Sequence, residues 1–502
     1  MAKNFSRRKF IKQSTAASVA ATIIPRHVLG GRGFVAPSDK LQIAYIGCGT
    51  QGIREMSDLL KNPNIQITSV CDPNKLTTDY RDWSPNQIRN LVRDATGNQQ
   101  WGSEFKGIPG GREVGRTMVE GYYGRTMPSG NYKGCNAYED FRELLDKEKN
   151  FDAVKVMTPD HLHATISIAA MKKGKHVVIH KPIANRMYEA KLTIETARKT
   201  GMKTHLLAYA KIQGNTNLKK MLDDGTIGTL KEIHNWSNRP VWPQFTSNPK
   251  TDISVPEGMN WDLWLGPVPN RPYHIDYTHM VFRGWYDFGG GTIADMGHYS
   301  LWPLFMTLGI NTPPISAEGC GTVNREFVNQ VSQEIHNDVA FPFSSMVRFK
   351  FPKQNTLPAF ELFWYDGGMR PPIPDELTAI DASLPIEGMM FVGDKGKILA
   401  GFNCENPVLI PDTKMKTYMA GKTRPAEKEE RSNDVWINAF KNNIESPGSF
   451  LNASAITETI LLGGVAIRTG KRLFYDSSNM KITNYTEANK YLYREYRKGW
   501  EL

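Results

Sequence analysis

Leu41-Gln-Ile-Ala-Tyr-Ile46-Gly47-Cys48-Gly49-Thr50-Gln51-Gly52 is the stretch on which the fold turns. The first six residues form a short, mostly apolar run, the pattern of a strand buried on both faces. Ile53, Met56, Leu59 and Leu60 then recur at helical spacing until Asn62-Pro63 ends the helix. A second strand follows at Ile65-Gln-Ile-Thr-Ser-Val70, closed by Cys71-Asp72. Strand, glycine turn, helix, strand and acid is the context that gives a Gly-x-Gly-x-x-Gly its meaning. Gly47 permits the tight turn, Gly49 a close approach of the backbone to a pyrophosphate, and Gly52 close packing of helix on strand. Cys48, Thr50 and Gln51 complete the cradle, and the helix N-terminus favours phosphate charge. Asp72 accepts from ribose hydroxyls and repels a 2′-phosphate, which favours NAD over NADP. Asn74, Lys75 and Thr77 nearby soften that choice.

Downstream, residues 78–135 are polar and rich in Gly, Arg and Tyr. They read as a long surface or cleft-lining insertion. Beyond it a helix over Tyr138–Glu148, a strand over Phe151–Met157, a helix over Leu162–Lys173, a strand over His176–Ile179, a helix over Tyr188–Thr200 and a strand over Met202–Tyr209 alternate singly. Such alternation predicts a doubly wound parallel sheet. The character changes after Asn215–Asp224: strand-like pieces at Leu230–Asn238, Ser344–Phe351 and Ala359–Trp364 lie between Gly- and Pro-rich loops, with helices at Val435–Asn443 and Ala453–Thr469. The expectation is an α/β chain with a dinucleotide-binding domain over 40–210, an α+β substrate domain over 211–475 built on a large, mostly antiparallel sheet, and a tail over 476–502.

The formal charge of +11 misleads, because residues 1–34 hold seven Lys and Arg and no acid; subtracting those seven leaves +4. No later segment interleaves clustered basic and aromatic residues, so nucleic acid is not expected as a partner. Ser6-Arg7-Arg8-Lys9-Phe10-Ile11-Lys12 followed by a weakly apolar stretch is the address of the bacterial twin-arginine (Tat) route. That stretch is too short to stay in a membrane. Residues 1–34 are therefore expected to be a signal peptide and the protein periplasmic. The five cysteines are scattered without a CxxC and suggest buried single thiols rather than a metal site.

Two further stretches, Thr158-Pro159-Asp160-His161-Leu162-His163 and Gly174-Lys-His-Val-Val-Ile-His180-Lys181-Pro182, resemble the "TPxxxH … GKHVxxEKP" run of the Gfo/Idh/MocA oxidoreductases. Gly289-Gly-Gly-Thr-Ile-Ala-Asp295-Met-Gly-His298 resembles that family's "GGGxxxDxGxH" segment. The resemblance implies that Thr158, Pro159, His163, His180 and Lys181 border the cofactor. It also implies that Lys181 lies beside the nicotinamide and the reacting hydroxyl, with Asp295 and a following His holding and deprotonating it. That set suits the chemistry: a His base near neutral pH assists hydride loss, and an ammonium stabilises developing alkoxide charge. The sequence departs from the family in carrying His180 where the motif has Glu. It also carries Tyr299 four residues after Asp295, with His298 at three. On a helix both positions stay near the face of Asp295, so His298 and Tyr299 are alternative bases.

Tyr209, Arg283, Trp285, Tyr286 and Tyr299 are candidate substrate contacts, since aromatic faces and Arg forks suit sugar hydroxyls. Packing is an equal reading for Trp285 and Tyr286, and the better one for Trp261 and Trp264. The implied function is oxidation of a hydroxyl on a sugar, inositol or glycoside by a homo-oligomeric enzyme. Two alternatives stay open: a redox-neutral glycosidase, lyase or epimerase using transient oxidation, and a sugar-binding protein with a vestigial cofactor site.

Overall fold

The computed structural model describes residues 39–502 except 128–131, 210, 213–214, 252, 355, 424–428 and 431. The twin-arginine leader lies outside the described residues. Six strands form the first sheet: β1 (Leu41–Ile46), β2 (Ile65–Cys71), β3 (Asn136–Tyr138), β4 (Ala153–Val156), β5 (His176–Ile179) and β6 (Thr204–Leu206). They run in the order β3-β2-β1-β4-β5-β6, every pair parallel. The run in β1 is apolar because alternate side chains enter two different cores. Ile43 and Tyr45 pack on one face of the sheet, Ala44 and Ile46 on the other.

Residues 78–135 prove to be the enlarged crossover from β2 to the edge strand β3. They hold two helices, Gln87–Thr96 and Arg112–Thr126, whose Ile88, Val92, Val114, Met118, Val119 and Tyr123 are buried in the Ile43 core. Each such side chain contributes about 1.5–3 kcal/mol of burial. The segment reads as polar because those apolar positions are spread thinly among Arg, Gly and Asn.

The second sheet has nine strands: β7 (Leu230–Trp236), β8 (Ser316–Gly321), β9 (Ser345–Phe351), β10 (Phe360–Tyr365), β11 (Gly388–Gly393), β12 (Lys397–Ala400), β13 (Val408–Ile410), β14 (Arg472–Asp476) and β15 (Lys481–Ile482). Their order is β13-β12-β11-β7-β10-β9-β8-β14-β15, antiparallel except for the central pair β7–β10. One face packs on two long apolar helices, Gly291–Leu308 and Ser454–Thr469, and this core is continuous with the Ala44 face of the first sheet. Residues 476–502 also pack: Arg494 pairs with Glu189 with both side chains almost fully buried, and Trp500 lies in the same core. No helix among the described residues is long and apolar enough to cross a membrane.

Candidate functional site

One cleft is lined by both the glycine turn and the residues that lead into the glycine run before helix Gly291–Leu308. Its lining includes Gly47, Gly49, Thr50, Gln51, Gly52, Asp72, Thr158, Pro159, His180 and Arg283. At one end the turn is sterically committed. Gly47 sits at φ +101°, and a Cβ there would come 2.5 Å from the backbone of Met157. A Cβ on Gly52 would lie 2.3 Å from the Gly47 carbonyl oxygen. Helix Thr50–Leu60 starts from Gly49 with no side-chain cap, so its first amides are left for a ligand. Cys48 turns its thiol inward against Gly115, and only its amide serves the site.

That amide donates to Asp72 Oδ2 at 2.7 Å, and the Asn74 amide donates to Oδ1 at 2.8 Å. Burial pushes the Asp72 carboxyl up to about 6 despite those two donors. Beside it Asn74 Oδ1 is a buried acceptor without a partner, and farther along the cleft Thr158 Oγ1 is likewise unpaired. A free helix terminus, a turn that excludes side chains and unpaired buried polar atoms fit a dinucleotide.

At the other end Lys181 forms a close ion pair with Asp295, and Arg283 Nε donates to the same Asp295 oxygen at 3.1 Å. The glycine run explains this assembly. A Cβ on Gly289 would come 2.5 Å from the Arg283 Cα, so only glycine lets residues 283–289 double back and bring Arg283 to Asp295. Burial works to raise the Asp295 carboxyl, but Lys181 and Arg283 outweigh it and hold it below the usual range. Burial lowers the Lys181 ammonium, with Asp295 opposing.

The two alternative bases are separated by the helix. Tyr299, on the same face as Asp295, has its ring 5.0 Å from Lys181 Nζ and its hydroxyl 3.1 Å from His180 Nε2. His180 and Tyr299, 119 residues apart and the two departures from the family motif, are thus in contact. His298 is fully buried, with Nδ1 donating to the Ala294 carbonyl at 3.0 Å and Nε2 without a partner, and Lys181 and Asp295 both act on it. Burial drives its pKa down to about 3.

Other expected contacts fall outside the cleft. His163 lies beneath it, with its ring nitrogens 2.6 Å from the Pro182 carbonyl and 2.8 Å from that of Thr158, where it fixes both loops. Trp285 is a core residue, its indole N–H donating to the Asp276 carbonyl and its ring stacked on Phe245. Tyr286 packs on Phe341 and under Arg468. Tyr209 packs edge-on against Trp302.

Several lining residues escaped the sequence reading. Asp160 sits inside a quoted motif and was given no role. Tyr80 and Trp83 follow Asp72 closely but lie in the stretch read as an insertion, and nothing in the sequence singles out His279. Tyr80, Trp83 and His279 belong to segments that are tied to each other over the cleft. Lys75 N donates to the Gly258 carbonyl at 2.7 Å and Asn260 N to that of Pro73 at 3.0 Å. Arg81 pairs with Asp276 at 2.9 Å, the Tyr273 hydroxyl donates to Asp79 at 3.3 Å, and Tyr80 lies 4.0 Å from the His279 ring. His279 is held at φ +54°, a conformation that costs a non-glycine residue about 1–3 kcal/mol.

Known proteins show the same two parts. Residues 126–207 match the NAD-binding Rossmann fold, and residues 213–326 the C-terminal α/β domain, of the Gfo/Idh/MocA oxidoreductase family. Levoglucosan dehydrogenase of Pseudarthrobacter phenanthrenivorans is 30% identical over 115 residues, covering 22% of this chain and 29% of that protein. A glycosyl hydrolase family 109 protein of Shewanella baltica is 22% identical over 212 residues, covering 39% and 38%. The chain thus spans well under half the length of each of these relatives. The solved WlbA dehydrogenase of Bordetella pertussis, in complex with NADH and UDP-GlcNAcA, superposes with a TM-score of 0.50 at 13% identity, covering 87% of this chain and 99% of that one. At that identity the likeness shows the fold alone.

Proposed function

We propose, from the premise that this chain belongs to the Gfo/Idh/MocA oxidoreductases, that it oxidises a hydroxyl group of a sugar, inositol or glycoside, with NAD preferred to NADP. The observation that carries this reading is the Lys181–Asp295–Arg283 cluster, which reaches the cleft through Arg283 with Lys181 and Asp295 paired behind it. A nicotinamide dinucleotide bound along the cleft would supply the two-electron acceptor. Gly47–Gly52 would hold its phosphates and Asp72 its ribose. Lys181 would donate to the substrate oxygen and stabilise charge building there, while Asp295 and Arg283 hold the ammonium in place. Tyr299 is better placed than His298 to contact the substrate.

The levoglucosan and inositol dehydrogenases among the relatives support a cyclic polyol substrate. The test is reduction of NAD by levoglucosan or myo-inositol in wild type and Lys181→Met. Loss of turnover in Lys181→Met with NAD binding intact supports the assignment, and equal turnover overturns it.

A second reading is favoured by the tied segments over the cleft. The bonds from Lys75, Asn260 and Arg81 tie together the segments that carry Tyr80, Met259 and His279 over the cleft, an arrangement that favours slow release of a bound cofactor. Retention suits a redox-neutral reaction that returns the hydride, and the family 109 relatives are compatible with it. Many turnovers of a glycoside without added oxidant, with solvent deuterium entering beside the transient ketone, would select this reading. We also assign export to the Arg7-Arg8 leader. Replacing both with Lys should trap the protein in the cytoplasm, and export of that variant through Tat would refute the assignment.

A further inference from the structure

We infer that Asp160 is the proton acceptor of the site, taking the hydroxyl proton from the substrate; the inference rests on the hydroxyl-oxidation reading above. Among the titratable groups near Arg283, His279 is turned to the Asp79 carboxylate at 3.6 Å and packed on Tyr80, and His298 is fully buried with Nδ1 held by the Ala294 carbonyl. Asp160, His180 and Arg283 line the cleft here, while Lys181, Asp295 and Tyr299 stand directly behind. Arg283 is a permanent cation and accepts nothing. His180 is buried beside two cations, Lys181 and Arg283, which oppose a second positive charge, so it stays neutral and holds the Tyr299 hydroxyl. Asp295 has its charge committed to Lys181 and Arg283, which makes it a weak base. The Tyr299 hydroxyl is driven far up by burial and is already paired with His180.

Asp160 differs from all of these. It opens the 3-10 turn Asp160–Leu162 directly after Thr158-Pro159, and its side chain is buried except toward the cleft. Its one hydrogen bond is from the Gly290 amide to Oδ2 at 3.2 Å, which leaves Oδ1 for a ligand. Three charged side chains act on it: Arg283 and Lys181 favour the carboxylate, and Asp295 opposes it. Burial outweighs them and brings the carboxyl to about 7, the range in which a general base works best at neutral pH. The step is a simple proton transfer. The substrate O–H bond breaks, its electron pair stays on oxygen beside Lys181, and the proton passes to Asp160 Oδ1. In net oxidation the proton then leaves through the cleft mouth. In the redox-neutral case the same carboxylic acid returns it.

Infrared difference titration of the full-length protein, without sugar, tests the first half. Wild type should show carboxylic-acid C=O absorption that disappears near pH 7, drawn from Asp160 and from the buried Asp366, which burial also raises to about 7, and Asp160→Asn should lose the Asp160 share of it, with the Asp366 share remaining, while still binding NAD. A band that persists unchanged in Asp160→Asn overturns the inference. The second half uses NAD reduction by levoglucosan and myo-inositol. Asp160→Asn should slow it about a hundredfold or more, and Asp160→Glu should recover part of the rate with a shifted acid limb. Wild-type rate and pH profile in Asp160→Asn overturn the role of Asp160. If Lys181→Met is at the same time inactive, the hydroxyl-oxidation reading survives. If Lys181→Met also turns over normally, that reading falls with it.

Discussion

The two ends of the cleft are built by opposite strategies. The cofactor end is local: Gly47, Gly49, Gly52 and Asp72 lie within one strand–helix–strand unit, and their spacing dictates their geometry. The hydroxyl end is assembled from three distant segments, with Asp160, then His180 and Lys181, then Arg283, Asp295 and Tyr299 meeting only after the second sheet has packed on the first. A local site is fixed by backbone sterics, whereas a distributed one depends on which face of each element turns inward. One residue of helical phase separates Tyr299, whose hydroxyl meets His180, from His298, whose Nδ1 is held by the Ala294 carbonyl of its own helix.

The largest effect should come from the distributed end. Lys181→Met removes the group proposed as donor to the developing alkoxide and should cut turnover about a hundredfold or more, with NAD affinity in calorimetry unchanged. Equal losses of both would mean that Lys181 holds the fold together rather than the reacting oxygen. At the local end, Asp72→Ala removes the charged acceptor proposed for the ribose, a hydrogen bond worth about 1.5–3 kcal/mol, so NAD should bind about ten- to a hundredfold more weakly. Asp72→Ser should improve NADP relative to NAD. The same carboxyl gives a pH signature. Its raised pKa of about 6 means that the carboxylate needed by the ribose is present above pH 6 and lost as pH falls through it. NAD affinity of wild type should decline below pH 6, and that slope should vanish in Asp72→Ala.

Smaller changes probe the tied segments over the cleft and the helix phase. Arg81→Ala deletes a partly exposed ion pair with Asp276, worth up to about 1 kcal/mol, and should speed NAD release about fivefold or less in stopped flow. No change at all would remove these ties from the account of cofactor retention. His298→Leu should be the mildest, with turnover within about twofold of wild type and no loss of melting temperature, because the ring leaves Nε2 buried and unpaired. A loss as large as that of Lys181→Met would return the base role to His298.

What the sequence made legible follows the same division. The parallel sheet was readable because each strand–helix pair carries its own period and its own Gly or Pro stop, as at Gly174 and Gly201. The edge strand Asn136–Tyr138 was not, because three residues carry no period and the helices leading to it bury only scattered apolar positions. Lys181 and Asp295 stand inside the quoted motifs, and Arg283 just before the glycine run. Trp285 and Tyr286 offer aromatic faces at the same place in the chain, yet the doubled-back chain sends Arg283 to the cleft and these two into packing, the other reading their sequence allowed. Asp160 stood in plain view between Pro159 and His161. Its significance is its burial, which no local pattern encodes.

The measurement that tests the central claim most directly is rapid mixing of the NAD-loaded protein with levoglucosan, myo-inositol and a panel of glycosides, following the reduced-nicotinamide absorbance. Net oxidation and the redox-neutral route both begin by reducing the cofactor. The account therefore predicts that at least one compound raises that band in wild type, lastingly or transiently, and that none raises it in Lys181→Met. Product formation without any rise in wild type, or the same rise in Lys181→Met, would contradict it.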